Sequence, residues 1–256
     1  MGVEMSISPA TSPTRVRVAA IADLHFGRHP AEFYQPVFAE VNARADVLVI
    51  CGDLTDHGRP DEAEGLARLI TQTVRTPVVA VLGNHDWESG AVPAITHTLV
   101  GAGIHLLDGD SVEIAGIGFA GIKGFCGGFG ARALGPWGEA TIKAFVQETI
   151  AEALKLETAL ARLKTPSRVA LLHYSPVEAT VLGEPPEIFP FLGSSRLEEP
   201  LLRYDVSVVF HGHAHHGQTE GRTARGVPVF NVSLPLLQRQ TPPENIRVFE
   251  VDGYAS

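Results

Sequence analysis

The sequence has few cysteines, no excess of positive charge and no long apolar segment. Only Cys51 and Cys126 occur among 256 residues, too few for a disulfide framework, so we expect a reducing compartment. No apolar run is long enough to cross a bilayer, and residues 1–15 lack the apolar core of a signal peptide. These absences predict a cytoplasmic protein that makes no membrane contact.

The charge balance limits the classes of partner. The formal net charge is −9, which argues against nucleic acid or an anionic membrane as the main partner, because both are themselves anionic. A small anionic substrate stays open, since bound metal ions can invert the local charge. The sequence does not indicate an oligomeric state.

The composition suits a globular protein with a large core, because 45% of residues are hydrophobic and 19% are charged. Chains of this length often form one α/β domain. We expect a flexible N-terminus over residues 1–14, followed by a single domain over residues 15–256.

Five short apolar segments predict buried strands. They are dense in Val, Ile, Leu and Ala without alternation, which is typical of strands that are covered on both faces. These segments are residues 15–22, 46–51, 77–82, 168–172 and 206–210.

Other patterns complete the predicted α/β fold. Helical spacing of apolar residues predicts helices over 31–45, 60–74 and 138–164. Alternation over 109–121 predicts a hairpin, and 227–232 and 246–251 are predicted as late strands. Residues 124–138 and 181–195 are rich in Gly, Pro and aromatics, which favours loops, and we expect both around a site.

Each of the five apolar segments ends in side chains that can bind metal. In open α/β sheets, ligands bind at the carboxyl ends of the strands, so we expect these side chains to meet. In chain order they are Asp23 and His25, then Asp53 and Asp56, then Asn84, His85 and Asp86, then His173, and finally His211, His213 and His215.

The residue types in this group suit divalent metal ions. Carboxylate, imidazole and amide oxygen favour Mn, Fe, Zn or Co, and the lack of thiolates argues against a structural zinc finger. Asp53 has two carboxylate oxygens and could bridge two ions, which lie ~3.5–4 Å apart in such sites. His173 alone would be read as a core histidine, but the whole set would repel or stay unsatisfied without an ion.

The motifs Asp-x-His, Gly-Asp-x-x-Asp-x-Gly, Gly-Asn-His-Asp, a single His and Gly-His-x-His follow in this order over residues 23–215. Together they resemble the calcineurin-like metallophosphoesterases. The resemblance implies a four-layer α/β/β/α sandwich of two mixed β-sheets flanked by helices. It also implies two divalent ions, the first held by Asp23, His25, Asp53 and His215, and the second by Asp53, Asn84, His173 and His213.

The resemblance further implies a mechanism. The ions lower the pKa of a water, and the resulting hydroxide attacks phosphorus in line. His85 contacts the phosphate and protonates the departing oxygen, Asp56 orients the His85 ring, and Asn84 helps to neutralise charge on the phosphoryl oxygens.

The sequence indicates the substrate less clearly than it indicates the metal site. His57 stands where protein phosphatases of this superfamily carry Arg, which favours the small-molecule phosphodiesterase branch. Tyr174 stands where some cyclic-nucleotide phosphodiesterases carry a second His, which leaves cyclic nucleotides in doubt. The alternatives are a phosphomonoesterase with the same site and a non-catalytic metal-binding scaffold protein. A metallo-β-lactamase-type hydrolase would need a His-x-His-x-Asp-His cluster that this chain lacks.

Several neighbouring residues receive structural interpretations. Asp86 is expected to cap the following helix, and His211 to make a supporting bond from its strand. A satellite core is favoured over base stacking for Phe125, Phe129, Phe189 and Phe191. Substrate contact stays open for His57, Arg132, Arg196 and His216.

Overall fold

The computed structural model describes residues 13–254. Most of the N-terminal segment that is predicted to be flexible, residues 1–12, lies outside this range. Thr14 already belongs to the first strand, so this strand begins one residue before the predicted domain boundary.

Within residues 13–254 the chain forms eleven strands and seven α-helices. The strands are β1 (Thr14–Ile21), β2 (Val47–Cys51), β3 (Val78–Val81), β4 (His105–Leu106), β5 (Asp110–Ile114), β6 (Ile117–Gly121), β7 (Arg168–Leu171), β8 (Val208–His211), β9 (Glu220–Arg222), β10 (Pro228–Asn231) and β11 (Arg247–Gly253). The helices are α1 (Gln35–Arg44), α2 (Pro60–Thr73), α3 (Val92–Gly101), α4 (Ala140–Arg162), α5 (Phe189–Leu192), α6 (Glu198–Arg203) and α7 (Leu234–Leu237).

The strands form two mixed sheets. The first sheet has the order β11-β1-β2-β3-β4, in which only the edge strand β11 is antiparallel to its neighbour. The second has the order β5-β6-β7-β8-β10-β9, in which the outer strands β5 and β9 are antiparallel to their neighbours.

Side-chain packing places the two sheets face to face, with helices outside. In β1, Ala19 and Ile21 pack in a cluster with α1, α2 and α3. Val18 and Ala20 point the other way and pack against Phe119 and other residues of the second sheet. The outer face of the second sheet packs against α4 and α6. The predicted α/β/β/α sandwich is therefore confirmed, and strands buried on both faces explain the continuous apolar runs.

Most predicted elements occur with shifted ends. The helix predicted over 31–45 is interrupted, since Ala31–Phe33 is a 3-10 turn and α1 starts at Gln35, with Pro36 in its first turn. No range was predicted for α3, the helix that follows Asp86, and strand β4 was not predicted. Pro93 near the start of α3 and Gly101 at its end were the available signals.

None of the helices described between residues 13 and 254 combines the length and apolar character needed to cross a membrane.

The strand directions place the site. Strands β1, β2 and β3 are parallel, so their carboxyl ends lie at one edge of the first sheet, and β7 and β8 do the same in the second. The two edges are joined directly: Nδ1 of His173, after β7, donates to the carbonyl oxygen of Cys51 at the end of β2, at 3.0 Å.

Candidate metal centre

The loops that follow the five strand ends bring the predicted ligands together in three overlapping groups. In each group the ligand atoms lie within 4.8 Å of one another. The groups are Asp23, His25 and His215, then His25, Asp53 and His85, and then Asp53, His173 and His213.

Asp53 lies between the outer two groups. Its Oδ1 is 3.3 Å from Nε2 of His173, and its Oδ2 is 3.8 Å from Nε2 of His25. Asn84 joins the His173 side, where its Oδ1 lies 2.9 Å from the same Nε2. On the other side, Oδ1 of Asp23 is 3.1 Å from Nε2 of His215. The two carboxylate oxygens of Asp53 thus face different ligand groups.

Left-handed backbone conformation of residues other than glycine is concentrated at the ligands. Asp23, His25, Asp53 and His213 have φ of 57°, 44°, 49° and 70°. Among the described residues the only other non-glycine with positive φ is Ala115, in the β5–β6 turn. L-residues avoid this region, and such conformations cluster at functional sites where the surroundings enforce them.

The neighbouring glycines make room for the ligands. Glycine allows sharp turns at these positions, and the structure shows a second reason for its presence. A Cβ on Gly83 would lie 2.1 Å from Oδ1 of Asp53, and one on Gly52 would lie 2.3 Å from Nδ1 of His173. Any larger residue would therefore displace a ligand side chain.

The electrostatics of the group favour a cation. Burial alone would raise the pKa of Asp53, but the adjacent His173 outweighs it and keeps the pKa low. Burial lowers the pKa of His213 to about 4, with repulsion from His173 adding to the shift, so its imidazole is neutral at pH 7. Burial also opposes the charged form of His173, but the charge and hydrogen bond of Asp53 hold its pKa at about 9. Without an ion, the protonated imidazole of His173 therefore balances the negative charge of Asp53.

The unsatisfied atoms of His25 fit a metal ion. Both of its ring nitrogens are buried and have no hydrogen-bond partner among the described residues. Leaving a buried polar atom unpaired costs about 1–3 kcal/mol, and an ion at Nε2, which faces Asp53, would remove part of that cost. Imidazole and carboxylate donors suit borderline divalent ions. The residues present therefore fit such ions.

The Asp56 side chain does not orient His85 in the way that the resemblance implied. Nδ1 of His85 donates to the backbone carbonyl oxygen of Asp56, at 2.6 Å. The Asp56 carboxylate instead lies 2.8 Å from Nη2 of Arg28 and 3.3 Å from Nδ1 of His25. Gly58 packs against the backbone of His85 and Asp86, so the two backbone segments lie close together. The carbonyl oxygen of Asp56 can therefore reach the His85 ring.

Asp86 is not a helix cap. Its buried carboxylate accepts from the backbone N–H of Thr55 at 2.8 Å, the Thr55 hydroxyl at 2.6 Å, Gly83 N–H at 2.8 Å and Leu54 N–H at 3.2 Å. Burial and the nearby charge of Asp53 raise its pKa to about 6. The prediction was wrong because unpaired backbone N–H groups that follow the strand ends lie closer to the Asp86 carboxylate than those at the start of a helix do. Asp86 therefore ties the loops after β2 and β3 together.

The two predicted loops adjoin the site and contact each other. Gly127 donates to the carbonyl oxygen of Pro190 at 2.7 Å, and Gly128 to that of Gly193 at 2.9 Å. The carbonyl oxygen of Phe191 accepts from Nε2 of His213 at 3.1 Å, which leaves Nδ1 for an ion. The 181–195 loop therefore orients a candidate ligand.

The satellite core is confirmed in part. Phe129 and Phe189 pack with Val181, Leu192 and Ala214. Phe191 instead exposes 57% of its surface, and Phe125 packs on Tyr174 and Phe145.

The remaining predicted residues lie outside the three groups of ligands. The expected supporting bond of His211 is present, because its Nε2 lies 2.8 Å from the Thr180 hydroxyl. The His57 side chain is more than half exposed, 3.4 Å from Glu88. Arg196 lines a surface cavity beside α4 and α6, away from the ligands.

Sequence reasoning missed Arg28 and Lys123. Arg28 pairs with Asp56 and lines a cavity of about 240 Å³ together with Asp23 and His25. Lys123 follows β6, and its carbonyl oxygen accepts from the backbone N–H of His173 at 2.9 Å. Neither residue belongs to a ligand motif, and the only signal in the sequence was a basic residue close after a predicted strand.

Comparison with known proteins gives a family and a fold. The model of the calcineurin-like phosphoesterase family matches residues 16–217. The crystal structure of TT1561 of Thermus thermophilus is similar, with a TM-score of 0.58 and 13% identity, covering 92% of this chain and 99% of that chain. At this identity the likeness shows the fold alone. No curated protein matches this chain.

Replacing Gly83 by alanine is expected to weaken metal binding by about 10–100-fold, the range found when residues supporting a ligand are lost. The added Cβ would meet Asp53 at 2.1 Å and turn it from its position. Calorimetric titration with Mn²⁺ measures the change in affinity. Gly101→Ala is the control, because a Cβ there meets nothing within 4 Å. Equal affinities in the two variants would contradict this role of Gly83.

Metal binding is expected to release protons. His173 has a pKa of about 9 without an ion, so it is protonated at pH 7.5 and must lose that proton to become a ligand. Affinity should therefore rise with pH up to about pH 9. His213, with a pKa of about 4, contributes no proton. Calorimetry at pH 7.5 in two buffers of different ionisation enthalpy should give a release of about one proton or more. A release of zero would contradict this charge state.

Proposed function

Since the chain belongs to the calcineurin-like phosphoesterase family, a family of metal-dependent hydrolases, we propose that it is a two-metal enzyme that hydrolyses a small-molecule phosphodiester. The observation that carries the two-metal assignment is the position of Asp53, whose two carboxylate oxygens face separate groups of ligands. When bound, two divalent ions would neutralise charge on the phosphoryl oxygens and acidify a water nucleophile. Mn, Fe, Zn and Co all suit these ligands.

Each ion would have its own set of ligands around the shared Asp53. The first set is Asp23, His25, Asp53 and His215, and the second is Asp53, Asn84, His173 and His213. Support comes from the three groups of close ligand atoms and from the 2.9 Å contact between Asn84 and His173. His85 also lies near His25 and Asp53, but we assign it to the substrate because its ring is partly exposed.

His85 is proposed to carry the proton for the departing oxygen. Its Nδ1 donates to the Asp56 carbonyl oxygen, which fixes the ring and leaves Nε2 as the other proton-carrying atom. Its side chain is 31% exposed, so solvent can return a proton after turnover. The amide nitrogen of Asn84 could donate to a phosphoryl oxygen, because its Oδ1 is directed at His173.

Asp56 is proposed to act through other residues. Its carboxylate fixes Arg28 at 2.8 Å and lies beside the otherwise unpaired Nδ1 of His25. A carboxylate at this position selects the imidazole tautomer that presents Nε2 to an ion. Its backbone oxygen separately positions His85.

The remaining assignments rest on fewer observations. We propose a single phosphoesterase domain over residues 15–256, because β9, β10 and β11 lie beyond the family match and yet complete both sheets. We propose a cytoplasmic location, since Cys51 and Cys126 are both buried and unpaired. A small-molecule substrate is favoured over nucleic acid by the net charge of −9.

Matched p-nitrophenyl esters test the preference for diesters. With added Mn²⁺, the purified protein should hydrolyse bis-p-nitrophenyl phosphate with a higher kcat/KM than p-nitrophenyl phosphate. Faster turnover of the monoester would favour a phosphomonoesterase with the same site. Turnover of neither ester by protein shown to contain two ions would favour the metal-binding scaffold.

His85→Ala should lower kcat by about 10²–10⁴-fold, the usual contribution of a general acid, while the metal content stays at the wild-type level. Elemental analysis and steady-state kinetics measure the two quantities. His97→Ala, which removes an imidazole from α3, is the control. Unchanged turnover in His85→Ala would remove His85 from the mechanism, and lost metal would make it a ligand.

A further inference from the structure

Lys123 is fixed beside the metal centre by the backbone. It follows β6, and its carbonyl oxygen accepts from the N–H groups of both His173 and Tyr174, at 2.9 and 3.1 Å. His173 is a candidate ligand, and the ring of Tyr174 lies 4.5 Å from that of His213, which is another. The Lys123 side chain therefore starts next to the ligands of the second ion.

The charged end of Lys123 is enclosed by three aromatic rings. Nζ lies 4.9 Å from the ring centroid of Phe125, 5.3 Å from that of Tyr174 and 5.8 Å from that of Trp87. These distances suit cation–π contacts. Tyr174 is buried, whereas Trp87 exposes 48% of its surface. Trp87 therefore forms the wall of this cage that faces solvent.

Nothing in residues 13–254 neutralises Lys123 directly. None of their carboxylates pairs with Nζ within 4.0 Å, and its one hydrogen bond runs to the carbonyl oxygen of Gly124, at 2.7 Å. The buried Glu152 is already engaged, because it accepts from Gly124 N–H at 2.7 Å and from Lys155 at 2.7 Å. An ammonium group has three donors, so two remain for a ligand.

An unpaired cation at this place needs an explanation. The adjoining ligands are arranged for two divalent ions, which would repel a further positive charge at short range. A structural lysine would pair with an acid or extend into water, whereas Lys123 does neither fully. An anionic group of the substrate would remove the repulsion and occupy the free donors.

The position of Lys123 indicates which part of the substrate it meets. The ring of His85, the proposed proton donor to the leaving oxygen, lies 4.5 Å from that of His25, on the side of the first ion. Lys123 lies against His173 and Tyr174, on the side of the second. With His85 as the proton donor, the substituent that stays on phosphorus would therefore lie closer to Lys123 than the leaving group would.

We propose that Lys123, within the cage of Trp87, Phe125 and Tyr174, binds an anionic group on the phosphoester substituent that stays on phosphorus. The subsite rests on the proposed phosphodiesterase function and narrows it to diesters with a second negative charge. The rings reduce the contact of Nζ with water, which strengthens a charge-assisted hydrogen bond to a carboxylate or phosphate.

Three p-nitrophenyl diesters test the subsite by activity. Their second substituents end in a carboxylate, a methyl group or a trimethylammonium group, and p-nitrophenolate leaves in each case. The wild type should prefer the carboxylate ester over the methyl ester by about 10–100-fold in kcat/KM, and the cationic ester should be the poorest. Lys123→Met should abolish this ranking, and Lys123→Arg should restore part of it.

A matched control separates the effect of the position of Lys123 from the effect of the net charge of the protein. Lys143→Met removes the same charge from an exposed site on α4, and the wild-type ranking should persist there. If Lys123→Met lowers all three rates by one factor, Lys123 acts on the reacting phosphoryl group or on the fold, and the proposal is overturned. A ranking that persists in Lys123→Met overturns it as well.

Binding without hydrolysis separates this proposal from the proposed function. Trp137→Phe leaves Trp87 as the sole tryptophan, and its fluorescence then reports on the cage. With Mn²⁺ present, 2-carboxyethylphosphonate should bind at least about tenfold more tightly than propylphosphonate, and Lys123→Met should remove the difference. Discrimination in binding without diester turnover would overturn the proposed function and keep the subsite. Diester turnover without discrimination between the two phosphonates would keep the proposed function and overturn the subsite.

Discussion

The carboxylate of Asp53 lies where the edges of two separate sheets meet, and the geometry of the site depends on it. One oxygen faces ligands that follow β1, and the other faces ligands that follow β3, β7 and β8. The arrangement is costly without a cation. It requires left-handed backbone at four ligands and leaves both ring nitrogens of His25 unpaired. In the proposed two-metal site, a pair of divalent ions would offset these costs, because it would supply the positive charge and the coordination positions that the surrounding groups lack.

The residues behind the ligands link the metal centre to the loops that would contact a substrate. Asp86 ties the loops after β2 and β3 together. The Phe191 carbonyl oxygen fixes the tautomer of His213 from the 181–195 loop, and the carbonyl oxygen of Lys123 accepts from His173. A change in the 181–195 loop or at Lys123 is therefore expected to alter both the orientation of a ligand and the shape of the substrate pocket.

The sequence predicted the set of clustered residues from their order along the chain, and it predicted the sandwich through its resemblance to the calcineurin-like phosphoesterases. Apolar strands without alternation imply cover on both faces, and ligands after parallel strands must share an edge. It could not show which atom of Asp56 meets His85, since that depends on how the main chain turns at Gly58. Asp86 was misassigned for the same reason. Lys123 was missed because its neighbours, Trp87 and Tyr174, are distant in sequence and belong to other loops.

Anomalous diffraction from a crystal saturated with Mn²⁺ tests the central claim most directly. The account predicts two manganese peaks about 3.5–4 Å apart, one on each side of the Asp53 carboxylate. The first should lie within ligand distance of Asp23, His25 and His215, and the second within that distance of Asn84, His173 and His213. A single peak, or a manganese-replete crystal in which Asp53 contacts no ion, would contradict it.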